Sequence, residues 1–144
     1  MNEQNLSPEE LESWISKVSH EFYNLGYQDP WLKDVFKVIK QEIITSQQID
    51  FMLGAMGGPK RYSGRSPGDA HPHIFINEEM WQQRESLLLL AFEKTGCPEF
   101  IRSKWLKIEH AFKRSMLMEG PHECRKRWAT DELVIVPKPK LKIA

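Results

Sequence analysis

The sequence predicts an all-α-helical domain followed by an extended C-terminal segment. Three observations carry this. Apolar residues recur three and four positions apart along most of the chain. Leu6-Ser7-Pro8-Glu9-Glu10 is a helix start with several cap signals at once. Gly57-Gly58-Pro59 and Gly120-Pro121 are helix stops, because glycine tolerates a left-handed residue and proline cannot continue the ladder.

The elements follow in order. Ser7 suits the N-cap, Pro8 the first helical position, and Glu10 completes a capping box. Leu6 and Leu11 have the spacing of a hydrophobic staple. Leu11, Trp14, Ile15, Val18 and Phe22 then share one helical face. Gly26 and Asp29-Pro30 end or bend this region. Trp31, Leu32, Val35, Phe36 and Ile39 suggest a second, shorter helix. A third runs from about Gln41 to Met56. Asn77 caps a helix from about Glu78 to Lys94, whose run Leu87-Leu88-Leu89-Leu90 is apolar almost all round. The last long helix carries Ile101, Trp105, Ile108, Phe112 and Met116 at steps of four, three, four and four, and is expected to close at Gly120-Pro121. The count is five or six helices.

Residues 121–144 break the pattern. Arg125, Lys126 and Arg127 are basic, Leu133-Val134-Ile135-Val136 is β-prone, and Pro137-Lys138-Pro139-Lys140 is extended and charged. The chain thus divides into a domain at 1–120 and an extension at 121–144. The extension either packs as one extended segment or stays mobile.

Composition narrows the function. A chain of 144 residues favours one domain with a sizeable core. The formal net charge is zero, which gives no electrostatic case for nucleic acid or for an anionic membrane. The longest apolar run, Leu87 to Phe92, is far too short to span a bilayer. The acidic N-terminus is no signal peptide. Cys97 and Cys124 stand in unrelated contexts, as in a reducing cytosol, so a cytoplasmic protein is expected.

The segment Gly57 to Ile76 carries the most specific signal. After the Gly-Gly-Pro stop comes an ordered loop with one aromatic anchor, Tyr62. Pro67 to Ala70 leave room for about one helical turn before His71, and Pro72 shortens any helix there. The segment holds one imidazole beside the end of a longer helix. The run Gly57-Gly58-Pro59-x-x-Tyr62-Ser63-Gly64-Arg65, with His71 six residues after Arg65 and an apolar residue five after His71, resembles the truncated (two-over-two) haemoglobins. The resemblance covers roughly residues 10–118 and implies an all-α, globin-like two-over-two helical sandwich. It also implies haem b as cofactor, with His71 as the proximal ligand of its iron.

Upstream spacings agree, most closely with the group I branch. Phe22-Tyr23 matches a pair whose tyrosine faces the distal side. Phe36, thirteen residues on, matches the aromatic on the haem face. Ile44 and Gln48, eight and twelve beyond Phe36, match distal positions that face bound ligand. By the same resemblance Phe51, Met52, Tyr62 and Phe75 join the haem contacts, and Tyr23 and Gln48 are the groups that act on the ligand. The chemistry asks for such residues. Haem iron needs a neutral imidazole on one side, and on the other a dry pocket with a few hydrogen-bond donors. A phenol and an amide both donate.

Other readings stay open. His73 is the local rival of His71, although it breaks the spacing. Phe36, Phe51 and Met52 would be core in any helical domain. Where the family has an apolar or tryptophan side chain, thirteen residues after His71, this chain has Arg84. Either Trp81 takes the aromatic role, or Arg84 reaches a propionate or an unusual ligand. The leading function is a haem globin that reversibly binds oxygen, nitric oxide or carbon monoxide. The resemblance extends this to converting oxygen and nitric oxide to nitrate, with an external reductase as partner. The alternatives are a haem-based sensor or redox-signalling globin acting through its tail, and a haem-free globin-fold interaction module. A monomer or weak homodimer is expected, and truncation near Gly120 is expected to leave the pocket intact.

Overall fold

The computed structural model describes residues 6–140. Residues 1–5 of the acidic N-terminus and 141–144 of the extension lie outside the described residues. Six α-helices make up the described chain: α1 Pro8–Gly26, α2 Lys33–Phe36, α3 Gln41–Ala55, α4 Pro67–Ala70, α5 Glu78–Thr95 and α6 Glu99–Met116, followed by a 3-10 turn at Pro121–Glu123. No strand forms among the described residues; one parallel bridge joins Ile74 to Val134. The all-α class is as expected.

The start of α1 is set by the capping box. The Glu10 N–H donates to Ser7 Oγ at 3.1 Å, and the Ser7 N–H donates to Glu10 Oε1 at 3.3 Å. Gly26 closes the helix for a packing reason. A Cβ there would stand 2.7 Å from Phe36 Cε2, so only glycine lets the Phe36 ring lie against the end of α1. The buried Asp29 carboxylate then turns the chain, accepting from the backbone N–H groups of Trp31 and Leu32 at 3.0 and 2.9 Å. Gln83 of α5 donates to the other Asp29 oxygen at 2.7 Å. After α3, Gly57 takes φ +93, the left-handed geometry that ends a helix.

Helix α1 packs on α3 and α5. Helices α5 and α6 run antiparallel, as their cross-links show. Glu78, near the start of α5, pairs with Lys113, near the end of α6, at 2.8 Å, and Glu93 pairs with Arg102 at 3.2 Å. One core, centred on Ile15, Phe22, Met52, Leu53, Phe92 and Trp105, lies among α1, α3, α5 and α6. A second gathers Trp31, Leu32 and Val35 with Met80, Trp81, Met116 and, from the extension, Val134.

One expectation needs correction. Helix α6 ends at Met116, short of Gly120-Pro121. The chain leaves it extended at Leu117, and the Met118 N–H is taken by the Ile76 carbonyl at 2.8 Å. This tertiary bond replaces the next turn of helix. Of the two courses open to the extension, it takes the first and packs on the domain as one extended segment. The Val134 N–H donates to His73 O at 2.8 Å, and the Phe75 N–H donates to Val134 O at 2.9 Å. The Trp31 indole donates to Val136 O at 3.0 Å, and the Arg125 N–H to Pro72 O at 2.7 Å.

Candidate haem pocket

A cavity of about 410 Å³ opens between the two cores, within the ~300–1,000 Å³ typical of small-molecule and cofactor sites. Its walls are mostly apolar. Leu32, Val35, Phe36 and Ile39 come from α2 and its flanks, Ile44 and Phe51 from α3, and Phe112 and Met116 from α6. The polar side chains come from separate elements: Tyr23 from α1, Gln47 and Gln48 from α3, Tyr62 from the loop, His71 and His73 after α4, Arg84 from α5, Glu109 from α6 and Arg127 from the extension.

His71 closes the one-turn helix α4. Its Nδ1 meets the Pro67 carbonyl, four residues back, at 2.6 Å. A carbonyl can only accept, so Nδ1 carries the proton and Nε2 keeps its lone pair. Burial is the main cause that lowers the imidazole to about 4; the Pro67 bond opposes this, while Arg84, His73 and Arg127 add to it. The ring is neutral at physiological pH, the state that binds a metal. His73 is buried and lines the same cavity, but its Nδ1 has no hydrogen-bond partner among the described residues. The fixed tautomer distinguishes His71 from its rival, because metal-ligating imidazoles are commonly held through their other nitrogen.

Across the cavity, Tyr23 is buried among Phe22, Phe36 and Tyr27, edge-on to each, with ring centres 4.8, 5.5 and 6.4 Å away. Burial raises its phenol far above the ordinary value, so it stays a neutral O–H donor. Neither its hydroxyl nor the Gln48 amide has a hydrogen-bond partner among the described residues. Two unspent donors therefore face one mostly apolar space. Tyr62 is an anchor, its hydroxyl donating to Arg65 O at 2.7 Å and its ring edge-on to Phe51 at 5.3 Å.

The predicted residues do not all reach the cavity. Tyr23, Phe36, Ile44, Gln48, Phe51, Tyr62 and His71 line it; Met52 and Phe75 do not. Met52 is fully buried in the first core. Phe75 contributes its backbone N–H to the extension, and its neighbours Ile74 and Ile76 line the cavity instead.

Arg84 takes a role that spacing alone leaves undecided. It forms a two-point ion pair with Glu109 of α6, Nη1 to Oε1 and Nη2 to Oε2, the latter at 3.1 Å. The guanidinium lies over the rings of Phe22 and Trp81, 5.1 and 5.3 Å from their centres. Trp81 is buried behind it and does not line the cavity. Burial alone would lower the Arg84 pKa, but Glu109 more than offsets this and raises it. Glu109 escapes sequence reading because Ile108 completes an apolar stripe without it. The available signal is that Glu109 sits four residues after Trp105 and seven before Met116, itself in phase with the buried face. Arg127 escapes as well. It pairs with Asp131, Nε to Oδ2 at 2.8 Å and Nη2 to Oδ1 at 3.0 Å, and donates to the Ala70 carbonyl, next to His71, at 3.3 Å.

A family profile for bacterial-like globins matches residues 11–118. The chain belongs to the bacterial-like globins. The matched span starts in α1 and ends just past α6, so it takes in every helical residue that lines the cavity and leaves Arg127 outside. No curated protein matches this globin. The residues present fit a haem: one neutral imidazole with a fixed tautomer, an apolar slot, and unspent donors in the same cavity. No helix among the described residues is long and apolar enough to cross a membrane.

Proposed function

We propose that this globin is a truncated haemoglobin of the group I type, a cytoplasmic haem b protein that reversibly binds oxygen or another diatomic gas. The observation that carries the reading is the pairing of His71, its Nδ1 held by Pro67 at 2.6 Å, with the unspent donors Tyr23 and Gln48 in one cavity. Haem, when bound, supplies an iron able to take up a diatomic ligand and to exchange an electron. The chain's own residues do the rest. His71 would hold the haem iron through Nε2. Phe36, Ile44 and Phe51 would exclude water. Tyr23 and Gln48 would donate hydrogen bonds to a bound gas and slow its escape. Turning oxygen and nitric oxide into nitrate consumes one electron per cycle, so that activity needs an external reductase.

The absorption spectrum of the purified protein, oxidised and reduced, tests this. A Soret band in the wild type and its loss or change in His71→Ala are expected. A wild-type spectrum in His71→Ala, with loss in His73→Ala, would move the ligand to His73.

A second reading, a haem-based sensor acting through its tail, draws on one observation. The extension touches both sides of the proximal turn, at Ala70 through Arg127 and at His73 and Phe75 through Val134.

A further inference from the structure

The extension spends only one of its two backbone edges on the domain. The Val134 N–H donates to His73 O at 2.8 Å, and its carbonyl accepts from the Phe75 N–H at 2.9 Å. Two residues on, the Val136 carbonyl accepts from the Trp31 indole at 3.0 Å. In extended backbone, successive residues direct their N–H and C=O groups to opposite edges. Leu133 and Ile135 therefore present theirs on the far side, and none of these groups has a hydrogen-bond partner among the described residues. The side chains alternate as well. Val134 is buried, whereas Leu133 and Ile135 are 42% and 46% exposed. An open edge beside exposed aliphatic side chains is a template for a further strand.

The charges of the segment indicate which strand. Asp131 and Glu132 precede the apolar residues, and Lys138 and Lys140 follow them. Asp131 is committed to Arg127, but Glu132 and Lys140 have no ion partner among the described residues. A second copy laid antiparallel brings the acidic end of one segment to the basic end of the other. A parallel copy would set like charge against like. The edge also fixes the register. Pro137 and Pro139, at the next outward positions, carry no N–H. The antiparallel register that uses the remaining donors sets Leu133 of one copy opposite Ile135 of the other, with a two-fold axis at Val134. The residues of each such pair exchange N–H and C=O groups, and their side chains meet as apolar cross-strand neighbours. Glu132 then stands diagonal to Lys138 of the second copy. The inner edge of each segment is already docked on its own domain, so no edge is left for a third chain and assembly closes at two.

We propose that the outer edge of the extension is a self-association surface, through which two copies of this chain pair antiparallel at Leu133–Ile135 into a closed two-fold dimer. The inference stands apart from the haem reading, since no residue that lines the cavity takes part.

Sedimentation of the full chain over a range of concentrations tests this. The average mass should rise with concentration and level off at twice that of the chain. Leu133→Lys/Ile135→Lys sets like charges opposite each other across the axis and should raise the dissociation constant roughly tenfold or more. Leu133→Glu/Ile135→Glu should do the same, and an equimolar mixture of the two variants should dimerise again. Both positions are exposed, so far-UV circular dichroism should not change. The Leu133 and Ile135 amides should be protected from exchange in the wild-type dimer and unprotected in either variant alone. A wild type that stays monomeric at millimolar concentration overturns the proposal and leaves the edge to an extended segment of a different protein. A dimer that both variants retain overturns it too, as does a mixture that stays monomeric or growth past two chains.

Discussion

Tyr23, Gln48 and Arg84 reach the cavity from three helices, but only Arg84 brings its own counter-charge. The consequences of removing them differ accordingly. Tyr23→Phe and Gln48→Leu each delete a donor with no protein partner, so the fold is left nearly intact and the effect falls on the ligand. A hydrogen bond to a partly charged acceptor in a dry site contributes about 1.5–3 kcal/mol, or roughly ten- to a hundredfold in release rate. Stopped-flow oxygen release should be faster in each variant. It should be fastest in the double, by more than the two single effects combined, because either donor can serve alone. If only an Arg84 variant changes the rate, the phenol and amide are not the groups that hold oxygen. Arg84→Leu and Glu109→Leu are stability variants instead. Each strands a buried charge and should cost about 3–5 kcal/mol in denaturant unfolding, whereas removing both should recover most of the loss. Equal destabilisation in the double variant would show that the two charges do not support each other. The sequence brings out Tyr23, Gln48 and His71 because fixed spacings place them, and the structure gathers all three on one cavity. Glu109 stays hidden for a geometric reason. Steps of three and four let a stripe pass through Ile108 or Glu109, and a charged residue gives way to an isoleucine when its cross-helix partner is unknown.

At the scale of elements, α4 and the extension form one unit around His71. Four residues of helix suffice to bring the Pro67 carbonyl under His71. The extension then clamps both flanks of that turn through Arg127 and Val134. Asp131 keeps Arg127 in place by accepting from its backbone N–H and from its guanidinium. These hydrogen bonds hold the Asp131 carboxyl well below the ordinary carboxylate range, against the opposing effect of desolvation. The sign follows from linkage. The unfolded chain protonates near the ordinary value of 3.8 while the folded carboxylate stays ionised. The stabilisation is therefore complete above about pH 5 and is lost as the pH falls below that toward the folded pKa. The protection factors of the Val134 and Phe75 amides, whose N–H groups join the extension to the domain, should fall across that window once intrinsic exchange is divided out. In Asp131→Asn they should already be low at neutral pH and respond less to acid. Equal acid sensitivity in the two proteins would remove Asp131 from this role. The docking itself is not legible in the sequence. Leu133-Val134-Ile135-Val136 announces extended backbone, but its partner is a single bridge to Ile74, sixty residues away, and no local pattern encodes so distant a pairing.

For the whole molecule, the cavity belongs to both cores. Tyr23, Ile44 and Phe51 tie it to the core among α1, α3, α5 and α6. Leu32, Val35, Met80 and Met116 tie it to the second core, in which Val134 is buried and Val136 packs at the edge. The helical half of this plan is written in the periodicity of α1 and α6 and in the caps at Ser7 and Asn77. The second core is only partly so, because Trp31, Leu32, Val35, Ile76 and Val134 come from short or extended pieces that lack a period. Ending the chain after Gly120 should therefore act unequally on the two halves. It exposes the side that Val134 covered, at about 1.5–3 kcal/mol for one buried aliphatic side chain. It also strands the Trp31 indole N–H and frees the turn that carries His71 from Arg127. The first core loses nothing directly, so far-UV circular dichroism should retain most of the helical signal while the melting temperature falls. Haem transfer to an apoprotein acceptor should become faster than in the full chain, because the wall that loosens carries His71. Unchanged melting and haem transfer after truncation would show that the extension rests on the domain without supporting it. Complete loss of helicity would show that the two cores fold only together.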